Sequence, residues 1–356
     1  MGRAAMIMAP HMSDTQLDLA FMADLPSPPA PARPARKPSR ARKVLAGAAG
    51  TAAALPATDA EAHARALEAH PDYRILRRLQ PRQQWPDAEP GTDIRCVLVL
   101  DTETTGLDPA KDRIMELAVL RVDVDAASGQ PVGAVQVYDG LEDPGSPIPK
   151  EVQDITGITS AMVRGQALDE ARIAALLQGV DLVVAHNAGF DRPFVEARLP
   201  LFKDCAWACS VHDVPWKAHG RRSAKLESLA QDLGWFYDAH RAEMDCHALL
   251  AVLTAPLAGG RALAGVLERA SHPSYRLLAT HAPYEAKDRL KARGYRWSTE
   301  DKVWSIQLPD STALEAEFAW LKDNAYQQRA AVVQFERLPA TVRYSGRPGV
   351  LMHHQL

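Results

Sequence analysis

From Ile94 to Leu100 the chain passes almost without interruption through apolar residues, the pattern of a strand covered on both faces. Ile114 to Val122 and Val132 to Tyr138 read as two further strands, broken by an Ala-Ser-Gly turn at 127–129. Asp181 to Ala185 reads as another short buried strand. Helical periodicity occupies 169–178, 191–198, 224–233 and 241–255. Strands first, then helices and strands in alternation, predict a mixed α/β sheet flanked by helices over residues 93–258.

The flanks follow different patterns. Residues 1–58 hold a Pro-rich stretch, a basic run and an Ala/Gly tract, which cannot bury enough apolar surface to offset ordering entropy and predict a disordered tail. The apolar stretch from Val44 to Leu55 follows basic residues as a signal-peptide core would, but its Ala/Gly composition predicts a linker. Residues 59–92 form a lead-in, with Ala60, Ala64 and Leu67 on one helical face, an interruption at Pro71, and Ile75, Leu76 and Leu79 suggesting a second helical stretch. Both stretches are expected to pack on the main domain.

After Gly259 and Gly260 a small α+β module is expected, spanning 273–356. Its elements are a strand at Tyr275–Thr280, a basic helix at Tyr284–Arg293, and a hairpin of Tyr295–Trp297 with Val303–Ile306. A helix from Thr312 to Gln328 follows, with Thr312 and Glu315 at capping-box spacing.

The 356 residues carry a net charge of −3 and 47% hydrophobic residues, ordinary values for a globular protein. Any polyanionic partner must therefore be met by local cations or by metal ions. The four cysteines (Cys96, Cys205, Cys209, Cys246) form no disulfide framework and point to a reducing, cytoplasmic setting. Cys205, Cys209 and His212 lack a fourth zinc ligand at sensible spacing and read better as buried thiols. No apolar run reaches the ~20 residues a membrane span requires.

Three acidic segments change the picture. In Asp101-Thr-Glu-Thr-Thr-Gly-Leu107, Asp101 and Glu103 lie two apart at the end of a buried strand, on one face. Adjacent carboxylates repel and are costly to bury unless a cation neutralises them, and hard oxygen donors suit Mg²⁺ or Mn²⁺. Alone, the pair also reads as a solvent-exposed acidic turn. In Ala185-His-Asn-Ala-Gly-Phe-Asp191, a second buried strand leads to a turn where Asp191 opens a helix, a position the helix dipole favours for any Asp. In His240-Arg-Ala-Glu-Met-Asp245, five helical residues would set the two ~140° apart. His240 is therefore placed on the preceding loop or first turn, where it is suited to deprotonate a water.

In this order and context the three segments resemble motifs I, II and III of the DEDD exonuclease superfamily. The likeness is to its histidine-containing branch, represented by the proofreading epsilon subunit of bacterial DNA polymerase III. The resemblance covers about 95–256 and implies a ribonuclease-H-like fold, with Asp101, Glu103, Asp191 and Asp245 as ligands of two divalent metal ions, Mg²⁺ or Mn²⁺, and His240 as general base. The tyrosine branch would place Tyr where this chain has Arg241. Thr104, Gly106 and Leu107 match contacts to the terminal nucleotide. Glu151 matches an acidic substrate contact upstream of Gly157-Ile158-Thr159, where Thr156 replaces a common His. Asn187 joins the expected substrate side, although with Phe190 it also reads as support for the motif II turn. The implied reaction is hydrolysis from a 3′ end to nucleoside 5′-monophosphates, in replication proofreading or DNA repair. An RNA exonuclease and a non-catalytic nucleic-acid or clamp adaptor are the alternatives.

In the tail, Gln16-Leu17-Asp-Leu19-Ala-Phe21 resembles the peptide by which bacterial replication proteins grip the sliding clamp, which adds the clamp and a DNA polymerase as expected partners. In the C-terminal module, Lys287, Arg289, Lys291 and Arg293 accompany Tyr295, Trp297 and Trp304. The set suits either nucleic-acid stacking or a small aromatic core, and the module's role stays open.

Overall fold

Strand β1 (Ile94–Thr104) turns the apolar run into the middle of a five-stranded sheet. Its neighbours are β2 (Ile114–Asp125), β3 (Pro131–Leu141), β4 (Leu182–Ala185) and β5 (Trp207–Cys209), in the order β3-β2-β1-β4-β5. β2 pairs antiparallel with β1 and β3, while β4 runs parallel to β1 and β5. This mixed layout agrees with the ribonuclease-H-like expectation. The structure, a computed structural model, describes residues 57–356. It divides into two units at Leu76 and Arg77.

Both faces of the sheet are covered, and the period of two along β1 decides which side chain goes where. Val97 and Val99 enter one core with Ala118, Leu120 and Val184, under α2 (Leu226–Asp232), α3 (Ala242–Thr254) and α4 (Ala262–Ser271). Leu98 and Leu100 enter the opposite core with Leu117, Val119 and Val183, under α1 (Ala188–Arg198). Asp101 and Glu103 continue the α3 side of the strand; Thr102 continues the α1 side. A register shift between Glu103 and Thr104 ends the regular ladder beside these residues, a common place for such an irregularity.

Three expectations need correction. Ile75–Leu79 is not helical: Arg77–Arg78 is a short strand, parallel to Trp235–Phe236. The peptide N–H of Leu79 donates to the Phe236 carbonyl at 2.8 Å, and Leu79 and Trp85 join the sheet's core. Pro71 and Pro81 leave a stretch shorter than the ~12 residues a helix needs to hold itself, and sheet pairing takes the backbone bonds instead. The helix expected from Thr312 starts at Ser311, and Asp310 caps it by accepting from the Ala313 N–H at 2.8 Å. It runs to Trp320 and continues as one wider turn over Leu321–Ala325. Besides β5, two strands of the C-terminal module went unread, β9 (Val332–Leu338) and β10 (Val350–Gln355). With β6 (Ser274–Ala279), β7 (Arg296–Ser298) and β8 (Val303–Leu308) they complete an antiparallel sheet ordered β7-β8-β6-β9-β10.

In the unit before Arg77, Ala57–Glu68 is helical as the lead-in pattern indicates, with an Arg65–Glu61 ion pair one turn apart. The tail at 1–56, including the Gln16–Phe21 segment, lies outside the described residues. Among the described residues no helix is long and apolar enough to cross a membrane.

Candidate active site

Asp101 and Glu103 emerge on the side of β1 that faces α3, and Asp245 comes from the first turn of α3. Oxygens from these three carboxylates lie within 4.8 Å of one another. Asp191 arrives from the opposite side. It sits in the first turn of α1, buried to 2% exposure, and its Oδ1 accepts from the Thr102 N–H at 3.1 Å and the Thr102 hydroxyl at 2.8 Å. Thr102 is therefore the clip that brings the motif II acid to the strand end. Asp191 stands outside the close triplet, yet it is the strongest charged neighbour of Asp101.

Electrostatics make this arrangement expensive in the absence of cations. Burial, then repulsion from Asp191 and Asp245, holds Asp101 well above the usual carboxylate range. Burial, then Asp245 and Glu116, does the same for Glu103. Burial raises Asp191 to about 7 against the pull of the Thr102 bonds, and raises Asp245 to about 6 against the Tyr237 hydroxyl. Carboxylates that resist ionising together are suited to multivalent cations, and an all-oxygen donor set fits Mg²⁺ or Mn²⁺ better than zinc.

The third segment is locked by its own acid. Asp245 Oδ2 accepts from the His240 N–H at 2.8 Å and the Arg241 N–H at 3.2 Å, while Oδ1 accepts from the Tyr237 hydroxyl at 3.0 Å. His240 adopts a left-handed backbone (φ 65°), uncommon for a residue with a side chain, just before α3 begins. Its ring is exposed while its peptide is fixed, in keeping with a place on the loop rather than on the helix.

Sequence reading missed three supporting residues. Glu116 lies directly across from Glu103 in the β1–β2 ladder and is fully buried. Its carboxylate accepts from Arg241 Nη2 at 2.6 Å, Arg241 Nε at 3.0 Å and the Ala242 N–H at 2.9 Å. Arg241 thus neutralises a charge that would otherwise add to the cluster. A lone Glu inside the apolar run at 114–120 was the available signal, since a buried charge demands a partner. Tyr237 and Thr102 carried no comparable signal.

The expected substrate-side residues are less uniform. Thr104 is buried, and its hydroxyl is spent on the Gly106 carbonyl at 2.6 Å. Gly106 packs against Asp112: a Cβ there would come within 2.5 Å of the Asp112 carboxylate. That carboxylate in turn accepts from the Asp108 N–H at 2.8 Å, so the loop carrying half-buried Leu107 is held from below. Asn187 has a left-handed backbone at the N-cap of α1, and its Oδ1 is buried without a partner. Glu151 is exposed on the short helix Lys150–Thr156, and no hydrogen bond or ion pair among the described residues ties it to the carboxylates.

A mixed sheet bearing an acidic, metal-compatible cluster at the end of its central strand defines the class to which comparison then gives a family. The family model described as "Exonuclease" (RNase_T) matches residues 98–253. The DNA polymerase III subunit epsilon of Treponema pallidum is 30% identical over 171 residues, covering 44% of this chain and 74% of that protein. The PolC-type DNA polymerase III of Thermotoga maritima is 31% identical over 176 residues, covering 48% of this chain but only 12% of that much longer protein. A solved structure, exonuclease X in complex with 5′ overhanging duplex DNA, is 26% identical over 44% of this chain and 88% of that one, with a TM-score of 0.35. This chain belongs to the exonuclease family that includes the epsilon subunit of DNA polymerase III.

Proposed function

We propose that this protein is a 3′–5′ exonuclease that releases nucleoside 5′-monophosphates from DNA ends, using two divalent ions, Mg²⁺ or Mn²⁺, held by Asp101, Glu103, Asp191 and Asp245. The observation that carries this reading is the convergence of Asp101, Glu103 and Asp245 within 4.8 Å at one strand end. When bound, such ions supply charge neutralisation at the attacking and leaving oxygens and ease water deprotonation. The chain's own groups do the rest. The exposed ring of His240, on a peptide pinned by Asp245, takes a proton from the attacking water. The 104–108 loop, braced by Thr104 and Asp112, offers its backbone and Leu107 to the terminal nucleotide. Asn187, whose buried Oδ1 has no partner, lines the motif II turn on the substrate side, and exposed Glu151 stands ready as an outer contact.

DNA is favoured over RNA because the relatives named above are DNA polymerase III proteins, which also supports a part in replication proofreading or repair and a cytoplasmic setting. A DNA polymerase, and the sliding clamp through Gln16, Leu17, Leu19 and Phe21, are the partners this reading implies.

A time course on 5′-labelled DNA and RNA oligonucleotides with Mg²⁺, Mn²⁺ or chelator tests it. Stepwise shortening from the 3′ end is expected, abolished by chelator and by Asp101→Ala. A folded Asp101→Ala protein with normal turnover removes the site assignment. Faster RNA shortening moves the substrate, and binding without hydrolysis makes the protein an adaptor.

A further inference from the structure

Arg192, the residue after Asp191 on α1, has an exposure of 0% and a carboxylate partner, Glu196, at 2.6 Å. Its remaining donors meet the nuclease domain only at 3.5 Å, where Nη2 faces the carbonyls of Lys203 and Cys205. Their shorter bonds reach a segment far away in sequence, the turn that follows β9. Arg192 Nη1 donates to the carbonyls of Ala340 and Arg343, and Nη2 donates to the Thr341 carbonyl at 2.6 Å. The guanidinium also lies over the Trp207 ring, 5.4 Å from its centre.

That turn is fastened to the catalytic sheet at several other points. The Trp207 N–H at the start of β5 donates to the Ala340 carbonyl at 2.9 Å, extending the sheet edge by one bond. The Tyr344 hydroxyl and Arg343 reach Asp213 at 2.8 and 3.3 Å. Arg347 donates to Glu196 at 3.0 Å and to the carbonyls of Lys203 and Thr341 at 2.8 Å. A fully buried guanidinium whose short carbonyl bonds all come from one distant segment loses them when that segment moves, and orphaned buried donors are costly.

We propose that Arg192 is a positioning residue for the motif II acid, and that Pro339–Arg347 works as a strap completing the active site from the C-terminal module. The proposal rests on the metal-site reading above. α1 begins at Asn187 with no side-chain cap. Its first turn is therefore held on one side by the bonds from Thr102 to Asp191, and on the other by Arg192 in the strap. Releasing the strap lets that turn move, and Asp191 with it. The Asp101–Glu103–Asp245 triplet does not depend on the strap.

The test uses the full chain carrying Arg192→Met, Arg192→Lys or Arg347→Ala. Mn²⁺ binding is measured calorimetrically, and kcat and KM are measured on a chromogenic nitrophenyl ester of thymidine 5′-monophosphate. Loss of a support behind a metal ligand lowers affinity by about 10-fold or more, so Arg192→Met is expected to weaken Mn²⁺ binding by at least that factor. It is also expected to lower kcat with KM within about twofold, as misplacement of a reacting group does. Arg192→Lys and Arg347→Ala should show the same signature at smaller size. Folded variants that bind Mn²⁺ like the wild type at unchanged kcat overturn the proposal and leave Arg192 a purely structural anchor. If Arg192→Met does not fold, the other two decide by the same criteria. A wild-type protein that binds no Mn²⁺ defeats the metal-site reading itself, a result distinct from equal binding by wild type and variants.

Discussion

Replacing Asp191 by Asn isolates the cost of charge in the active site. Asn keeps an Oδ1 acceptor for the two Thr102 donors and removes the ionisable group. Asp191 ionises near 3.8 in the open chain and at about 7 in the fold, chiefly because it is buried. At about 1.4 kcal/mol per pH unit, ionising it in the metal-free fold costs roughly 4 kcal/mol at pH 8. Part of that cost is shared with Asp101 and Asp245, so a net gain of about 2–4 kcal/mol is expected for Asp191→Asn in chelator, or roughly 5–10 °C in Tm. The sign follows from the upward shift. The fold loses no stability below 3.8 and loses it progressively as pH rises toward about 7. At pH 5 the wild type has therefore lost roughly 2 kcal/mol, less than half of the loss at pH 8, and the advantage of the variant shrinks accordingly. Scanning calorimetry at pH 5 and 8, with EDTA and then with Mn²⁺, reads each quantity. Mn²⁺ should stabilise the wild type more than the variant. A variant less stable than wild type in EDTA at pH 8, or an advantage equal at both pH values, would refute the electrostatic reasoning.

Arg241→Met leaves the Glu116 carboxylate buried without its cation and should cost about 3–5 kcal/mol in urea unfolding, most of it recovered in the Arg241→Met/Glu116→Gln double variant. His240→Gln should lower kcat by about 10²–10⁴-fold near neutral pH. The Mn²⁺ midpoint should hold steady, because His240 meets Asp245 through its peptide N–H, and a large midpoint shift would move His240 into the ligand set. Deleting residues 16–21 should leave hydrolysis of short oligonucleotides unchanged and weaken retention on an immobilised sliding clamp; equal retention dismisses that segment as a clamp peptide.

Where the placement of a side chain depends on neighbours in sequence, it was legible beforehand. The spacing of Asp101 and Glu103 put both on one face of a strand, and the 140° argument took His240 off the helix; the structure has both features. The mixed sheet was legible for the same reason, since a strand buried on both faces leaves an unbroken apolar run. Pairing between distant segments was not. Short strands such as β5, and the late strands β9 and β10, are fixed by partners that no local pattern reveals, and the strand at Arg77–Arg78 pairs with Trp235–Phe236, far away in sequence.

The sequence by itself determined which acids are present, in what order, and which of them share a strand face, because backbone periodicity is a local property. Only the tertiary structure decided how their charge is managed. Thr102 clips Asp191 to the strand, Arg241 quenches Glu116 across the sheet, and the carbonyls of the Pro339–Arg347 turn hold Arg192. Each of these joins a donor to an acceptor far away in sequence, with at least one of the two buried, and the low polarity of the interior makes those distant bonds strong.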